Sequence, residues 1–172
     1  MGAAEKITQA FLDKEFVNAF IQSVINTHRI TANIQINSGK ASILPKSEKN
    51  GEVTGFLGIV SNNSRWVLSI SYAKESITEI YGTMFSEKKE SIDNDVADLV
   101  GEITNQIYGG AKSMLNQRGY AFEMAMPTVI TGDFRTHHHG SGVTLNVPFC
   151  ISNKAYNIWI DITASSDEKK TN

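Results

Sequence analysis

The sequence predicts a layered α/β domain in which an antiparallel or mixed sheet carries its helices on one face. Two observations predict it. The apolar residues recur at helical spacing over Glu5–His28, Ala73–Phe85 and Asp93–Arg118, and at strand spacing over six shorter runs between and after them. These segments also follow one plan twice: a helix and three strands, a short helix, then a helix and three strands again. No residue-level repeat with a period of roughly 20 to 50 is visible, so the duplication is one of plan rather than of sequence.

In the first helix Phe16, Val17, Phe20, Ile21, Val24 and Ile25 form the stripe, with no proline to interrupt it. Thr31–Ile36 alternates, with Ala32, Ile34 and Ile36 opposed to Asn33 and Gln35, and predicts a strand. Ser38–Gly51 predicts a polar loop. Glu52–Val60 and Arg65–Ser71 predict a strand pair joined by Asn62-Asn63-Ser64, since asparagine tolerates positive φ. Ile77, Ile80, Tyr81 and Met84 share one side of the short helix, and Ser86–Glu90 is a charged connector.

The long helix turns Val96, Leu99, Val100, Ile103, Ile107, Ala111 and Met114 inward. Asp93, Asp95 and Asp98 near its start and Lys112 and Arg118 near its end complement the helix dipole, and Gly119 is a natural terminator. Met124–Thr131, Val143–Ile151 and Ala155–Thr163 predict the last strands, with an exposed loop at Asp133–Gly142. Pro148 inside the middle one predicts an edge or a bulge, because proline cannot donate to the ladder. Trp66 and Trp159 fall on strands and are expected to pack on the sheet.

A chain of 172 residues suits one domain, assigned to 1–164, with 165–172 as a polar tail. A net charge of −2 gives no reason to expect nucleic acid or a membrane surface as partner. No apolar run approaches the roughly 20 residues of a membrane span, and Met1–Lys6 lacks the apolar core of a signal peptide. The lone Cys150 has no internal partner and is expected to be a buried thiol. The cytoplasm is the expected location.

The long helix also carries the candidate chemistry. Glu102 and Asn105 lie about 60° apart around the helix axis and about 4.5 Å apart along it, on the side away from the inward stripe, with Asp98 and Gly109. Gly109 and Gly110 each cost about 1 kcal/mol relative to alanine inside a helix, which predicts a close approach to the backbone there. A single helix face is not a pocket, so this surface suits another protein better than a small molecule. An asparagine amide both donates and accepts, and can hold a water in one orientation without titrating. A carboxylate beside it can pair with a cation on the partner. That combination suits phosphoryl hydrolysis, where positioning matters more than proton transfer. No metal ligands accompany the pair, so any Mg²⁺ would come with the substrate protein.

The run from Gly101 through Glu102, Asn105, Gly109 and Gly110 to Lys112 resembles the signature helix of the CheC/CheX family of bacterial chemotaxis phosphatases. Pro127-Thr128-Val129-Ile130-Thr131-Gly132 is similar to the strand that follows it in CheX-type members, and Phe16–Val24 to their first helix. In element order the likeness covers about Phe16 to Ile162. It implies dephosphorylation of a phosphorylated CheY-like response regulator. Asn105 would orient the attacking water, Glu102 would contact the receiver's active-site lysine, and the receiver would supply Mg²⁺; the chain would need no cofactor of its own. It also implies a homodimer formed through the sheets.

CheC-type members carry two such helices, and the first helix here does contain Glu15 and Asn18 at the same spacing. It lacks the glycine pair, and the stripe through Phe16 and Val17 is expected to turn the segment inward, leaving one site per chain. Two other readings stand beside this one: a non-catalytic dimeric module that binds receivers or other signalling proteins, and a metal site at His137-His138-His139 with Asp133. Consecutive side chains diverge, so the histidines are expected to be an exposed loop rather than a ligand set.

Overall fold

Asp13 starts the first helix. Its carboxylate accepts the Glu15 N–H at 2.9 Å, and α1 runs over Lys14–Ala32. In the computed structural model the described residues are 13–44, 51–61, 64–123, 125–134, 143–152, 154–155 and 157–165. The predicted start at Glu5 lies outside them. At its other end α1 runs past the predicted His28 to Ala32, where Asn33 turns left-handed at φ 53° and returns its N–H to the His28 carbonyl. Thr31 and Ala32 are therefore helical. The alternation that suggested a strand from Thr31 comes from a helix end plus a turn, and β1 is only Ile36–Ser38.

The predicted loop Ser38–Gly51 contains a short strand, β2, Ser42–Leu44. β1 and β2 pair with the same strand, β6 (Val143–Ile151). Between the pairs Ser38–Phe149 and Ser42–Asn146 the outer strand has one residue more than the inner, which is a bulge. Pro148 sits there, lacking an N–H, and its carbonyl accepts the Gly39 N–H at 2.7 Å. β3 (Val53–Ser61) and β4 (Ser64–Tyr72) form the expected pair. α2 is Lys74–Phe85 and α3 Asn94–Asn116.

α3 ends before Arg118, which therefore lies beyond the last turn, and Gly119 takes φ 90°. β5 is only Thr128–Thr131, because Pro127 offers no donor and Met126 is 90% exposed. β7 is Ile158–Ser165. All pairings are antiparallel, in the order β1-β6-β7-β4-β3-β5, with β2 also on β6. Exchanging the halves, β1 for β5, β3 for β6 and β4 for β7, reproduces this order reversed. The two plans read from the sequence are thus related by a pseudo-twofold between β4 and β7.

The strands alternate as a one-sided sheet requires. Leu57, Ile59, Leu68, Ile70, Val147, Phe149, Ile160 and Ile162 pack under the helices with the α3 stripe; of that stripe only Met114 is half-buried. The other face is polar and paired across strands: Thr54 with Ser71 at 2.8 Å, Thr144 with Thr163 at 2.9 Å, and the Asn146 amide donating to Asp161 at 2.6 Å. Trp66 packs at 5.5 Å from Phe16, and Cys150 is a buried free thiol. Among the described residues no helix is long and apolar enough to cross a membrane.

The depth at which α3 lies on the sheet is set at Gly55. A Cβ there would stand 2.1 Å from Thr104 Oγ1, the buried neighbour of Asn105, whose hydroxyl donates to the Val100 carbonyl at 2.7 Å. Gly55→Ala must push α3 outward and is expected to cost about 1–3 kcal/mol in urea unfolding. An unchanged midpoint would mean that α3 does not rest there.

Candidate functional site

Ile103, Thr104, Ile107 and Tyr108 are buried along α3, and their burial fixes which way the remaining residues point. Glu102, Asn105 and Gly109 are exposed, as the periodicity predicts. Glu102 is not free to swing. Its Oε1 accepts the Gln106 side-chain amide at 2.7 Å, and the Gln106 carbonyl accepts the Thr31 hydroxyl at 2.8 Å. The chemistry dictates these directions, because a carboxylate only accepts and so requires the NH₂ end of the amide. Thr31, on α1, thereby orients Glu102, on α3, through Gln106. Gln106 was within reach of sequence reasoning, since Glu and Gln four residues apart meet on a helix. Thr31 was not, having been assigned to a strand.

Asn105 opens on a groove of about 510 Å³ that continues past Gly109 and Lys112 to Asn116. The far wall, at Ala125, is held by two residues that the sequence reading did not single out. Asn116 clamps Phe122, accepting its N–H at 2.9 Å and donating to its carbonyl at 3.2 Å. The Tyr108 hydroxyl donates to the Glu123 carbonyl in a short bond; burial, then the Glu123 charge, pushes that phenol up to about 12. The wall is therefore part of the fold.

The two glycines have different reasons. At Gly110 a Cβ would stand 2.4 Å from Ser23 Oγ, and Ser23 donates to the Ile107 carbonyl at 2.6 Å. Gly110 is thus the crossing point of α1 and α3. Ser23 and Gly110 each lie eight residues past the glutamate of their own Glu-x-x-Asn, so the pseudo-twofold brings them face to face. A Cβ on Gly109 would meet nothing within 4 Å.

The second pair departs from the expectation. α1 buries Phe16, Ala19, Phe20 and Ser23 rather than the face through Val17, so Glu15 and Asn18 point outward. They border a smaller groove of about 210 Å³ with Gln22, Met114 and Gln117. Glu15 is ion-paired with Arg118, and Gln22 occupies the position equivalent to Gly109. His137–His139 lie outside the described residues. Among those described, no three His, Cys, Asp or Glu side chains are grouped to hold a metal. At the N-terminal end of α3, Lys89 bonds Asp93 at 2.8 Å and Asp95 at 2.9 Å, which raises its pKa and lowers that of Asp93. Asp95 precedes Asn105 by ten residues, about 15 Å along the helix, so this cluster is remote from it.

Residues 53–150, more than half of the chain, match the family model described as chemotaxis phosphatase CheX. The CheY-P phosphatase CheX of Thermotoga maritima is 25% identical over 142 residues, 81% of this chain and 90% of that protein. A CheC-like superfamily protein from Shewanella sp. PV-4 is 35% identical with a TM-score of 0.79, over 89% of this chain and 99% of its own. The fold is shared with a chain of the CheX-CheY-BeF3-Mg²⁺ complex of Borrelia burgdorferi, at TM-score 0.71 and 21% identity over 87% of this chain and 97% of that one. The whole of α3 lies within the residues that the family model matches, and the chain belongs to the CheX family of chemotaxis phosphatases.

Proposed function

We propose that this protein hydrolyses the phospho-aspartate of a CheY-like response regulator, with Asn105 aiming the water and Glu102 docking the receiver. The observation that carries the reading is the exposed Asn105 at the mouth of a groove, next to a carboxylate whose orientation is already fixed. In the reaction water oxygen bonds to phosphorus as the acyl-phosphate P–O bond breaks. The aspartate leaves as a carboxylate, and the water proton passes to the departing inorganic phosphate. Nothing has to be protonated by this chain, so an amide that orients without titrating is the suitable group. Glu102 pairs with the receiver's lysine, and the receiver brings Mg²⁺. The setting is the cytoplasm, and a second copy of the chain is expected to pair through the sheets, read as twice the chain mass in light scattering.

The test is phosphate release from a phosphorylated CheY-type receiver of the same organism, with Mg²⁺, comparing the protein with Asn105→Ala and Glu102→Ala. Equal acceleration by all three removes the proposal. Binding of the receiver without a shorter phosphate lifetime would instead favour a non-catalytic module. The tether gives a further expectation. Gln106→Leu should raise KM about 5–10-fold with kcat nearly unchanged, because it loosens docking and leaves Asn105 alone. Thr31→Ser should behave as the parent and Thr31→Val should fall between. A parental KM for Gln106→Leu would show that the Thr31–Gln106–Glu102 chain does not position the carboxylate.

A further inference from the structure

We infer that Gly109 is kept bare as a seat for the main chain of the incoming receiver, and that Lys112 beside it pairs with an acidic side chain on the receiver's rim. The inference rests on the reading of Asn105 above and extends it to the surface that recognises the partner. Gly110 is explained by the chain's own Ser23, but among the described residues nothing requires Gly109: it is exposed, and a Cβ would meet none of them within 4 Å. An exposed glycine in a helix interior weakens the helix without a return inside its own chain.

The first helix supplies the comparison. Gln22 stands seven residues past Glu15, as Gly109 stands seven past Glu102, so the equivalent groove is filled by a side chain where this one is open. The pair whose carboxylate is tied to Arg118 has the filled groove. The pair whose carboxylate is held by a neutral amide has the bare one.

Asn105, Gly109 and Lys112 follow one another along one side of α3, at about 6 Å and about 10 Å from Asn105. An interface of ordinary size, about 800 Å² on each partner, cannot centre on Asn105 without covering Gly109. Lys112 lines the same groove and has no ion pair among the described residues. A phospho-aspartate centre that holds Mg²⁺ is built from carboxylates, so an acidic rim is the surface expected to arrive over Lys112. The charge is complementary.

The test pairs stability with binding. Gly109→Ala should raise Tm by about 2–4 °C, because alanine favours the helix and meets no obstacle. Gly109→Gln, which copies Gln22, should fold without loss of Tm. It should raise KM for the phosphorylated receiver at least tenfold with kcat within twofold, and raise by the same factor the dissociation constant of a receiver loaded with beryllofluoride and Mg²⁺. Lys112→Glu should weaken binding similarly, and Lys112→Arg should bind as the parent does. A lowered Tm for Gly109→Ala, or a parental dissociation constant for Gly109→Gln, overturns the inference. Should Asn105→Ala release phosphate at the parental rate, the catalytic reading fails by itself, and the Gly109→Gln dissociation constant still decides the docking surface.

Discussion

Asn105→Ala is expected to slow phosphate release on the order of 10²-fold or more, because it removes the group that aims the nucleophile while the phosphate, the metal and the carboxylate all stay in place. A loss of that size corresponds to about 2.7 kcal/mol of transition-state stabilisation. Asn105 is exposed and its side chain makes no hydrogen bond among the described residues, so the substitution should leave the unfolding free energy within about 0.5 kcal/mol. Affinity for the beryllofluoride-loaded receiver should change far less than the rate. Asn105→Gln separates positioning from chemistry: the same amide is carried one methylene further out. A displacement of about 1 Å is enough to cost about 10²-fold, so glutamine should rescue little. Full activity in Asn105→Gln would mean that the amide acts through its chemistry alone and not through its place. Asn105→Asp puts a negative charge beside a phosphoryl dianion and should be no better than alanine.

The outward face of α3 is the most legible part of the sequence. α3 is long and strongly amphipathic, so the spacing of its apolar residues alone gives the outward direction of Glu102 and Asn105. β3, β4 and β6 were readable to within a residue or two because each has one apolar side. Elements at the rim were not. β2 has both Ser42 and Ile43 exposed, so it shows no alternation and passed for loop. Met126 looked like strand residue and is almost wholly in solvent. The outward turn of Glu15 was missed for a different reason. α1 buries the polar residues Ser23, Thr27 and His28, so its true inward face is not its most apolar one. Ser23 stands at the helix crossing and His28 at Tyr72, and no local pattern announces either.

Stability should fall by about 3 kcal/mol on titrating His28, beginning just below pH 6.5. The imidazole is buried between α1 and β4. Nδ1 lies 2.8 Å from the Val24 carbonyl, which can only accept, so Nδ1 carries the proton. Nε2 then accepts from the Tyr72 hydroxyl at 3.1 Å, and burial raises the Tyr72 pKa, which keeps that phenol neutral. Burial lowers the His28 pKa from 6.5 to about 4, against a smaller opposing effect of the Val24 bond. The unfolded chain takes up its proton near pH 6.5 and the folded one only near pH 4. The contribution is therefore fully present above pH 6.5 and is lost as pH falls toward the folded value, at up to about 1.4 kcal/mol per pH unit. Urea unfolding at steps from pH 7.5 to 5 captures about 2 kcal/mol of it, above the range where most carboxylates titrate. His28→Leu leaves the Tyr72 hydroxyl without its acceptor, so it should be less stable at pH 7.5 yet flatter over the same interval. If the parent and His28→Leu lost stability at the same rate between pH 6.5 and 5, the proton would be entering somewhere other than this buried pair.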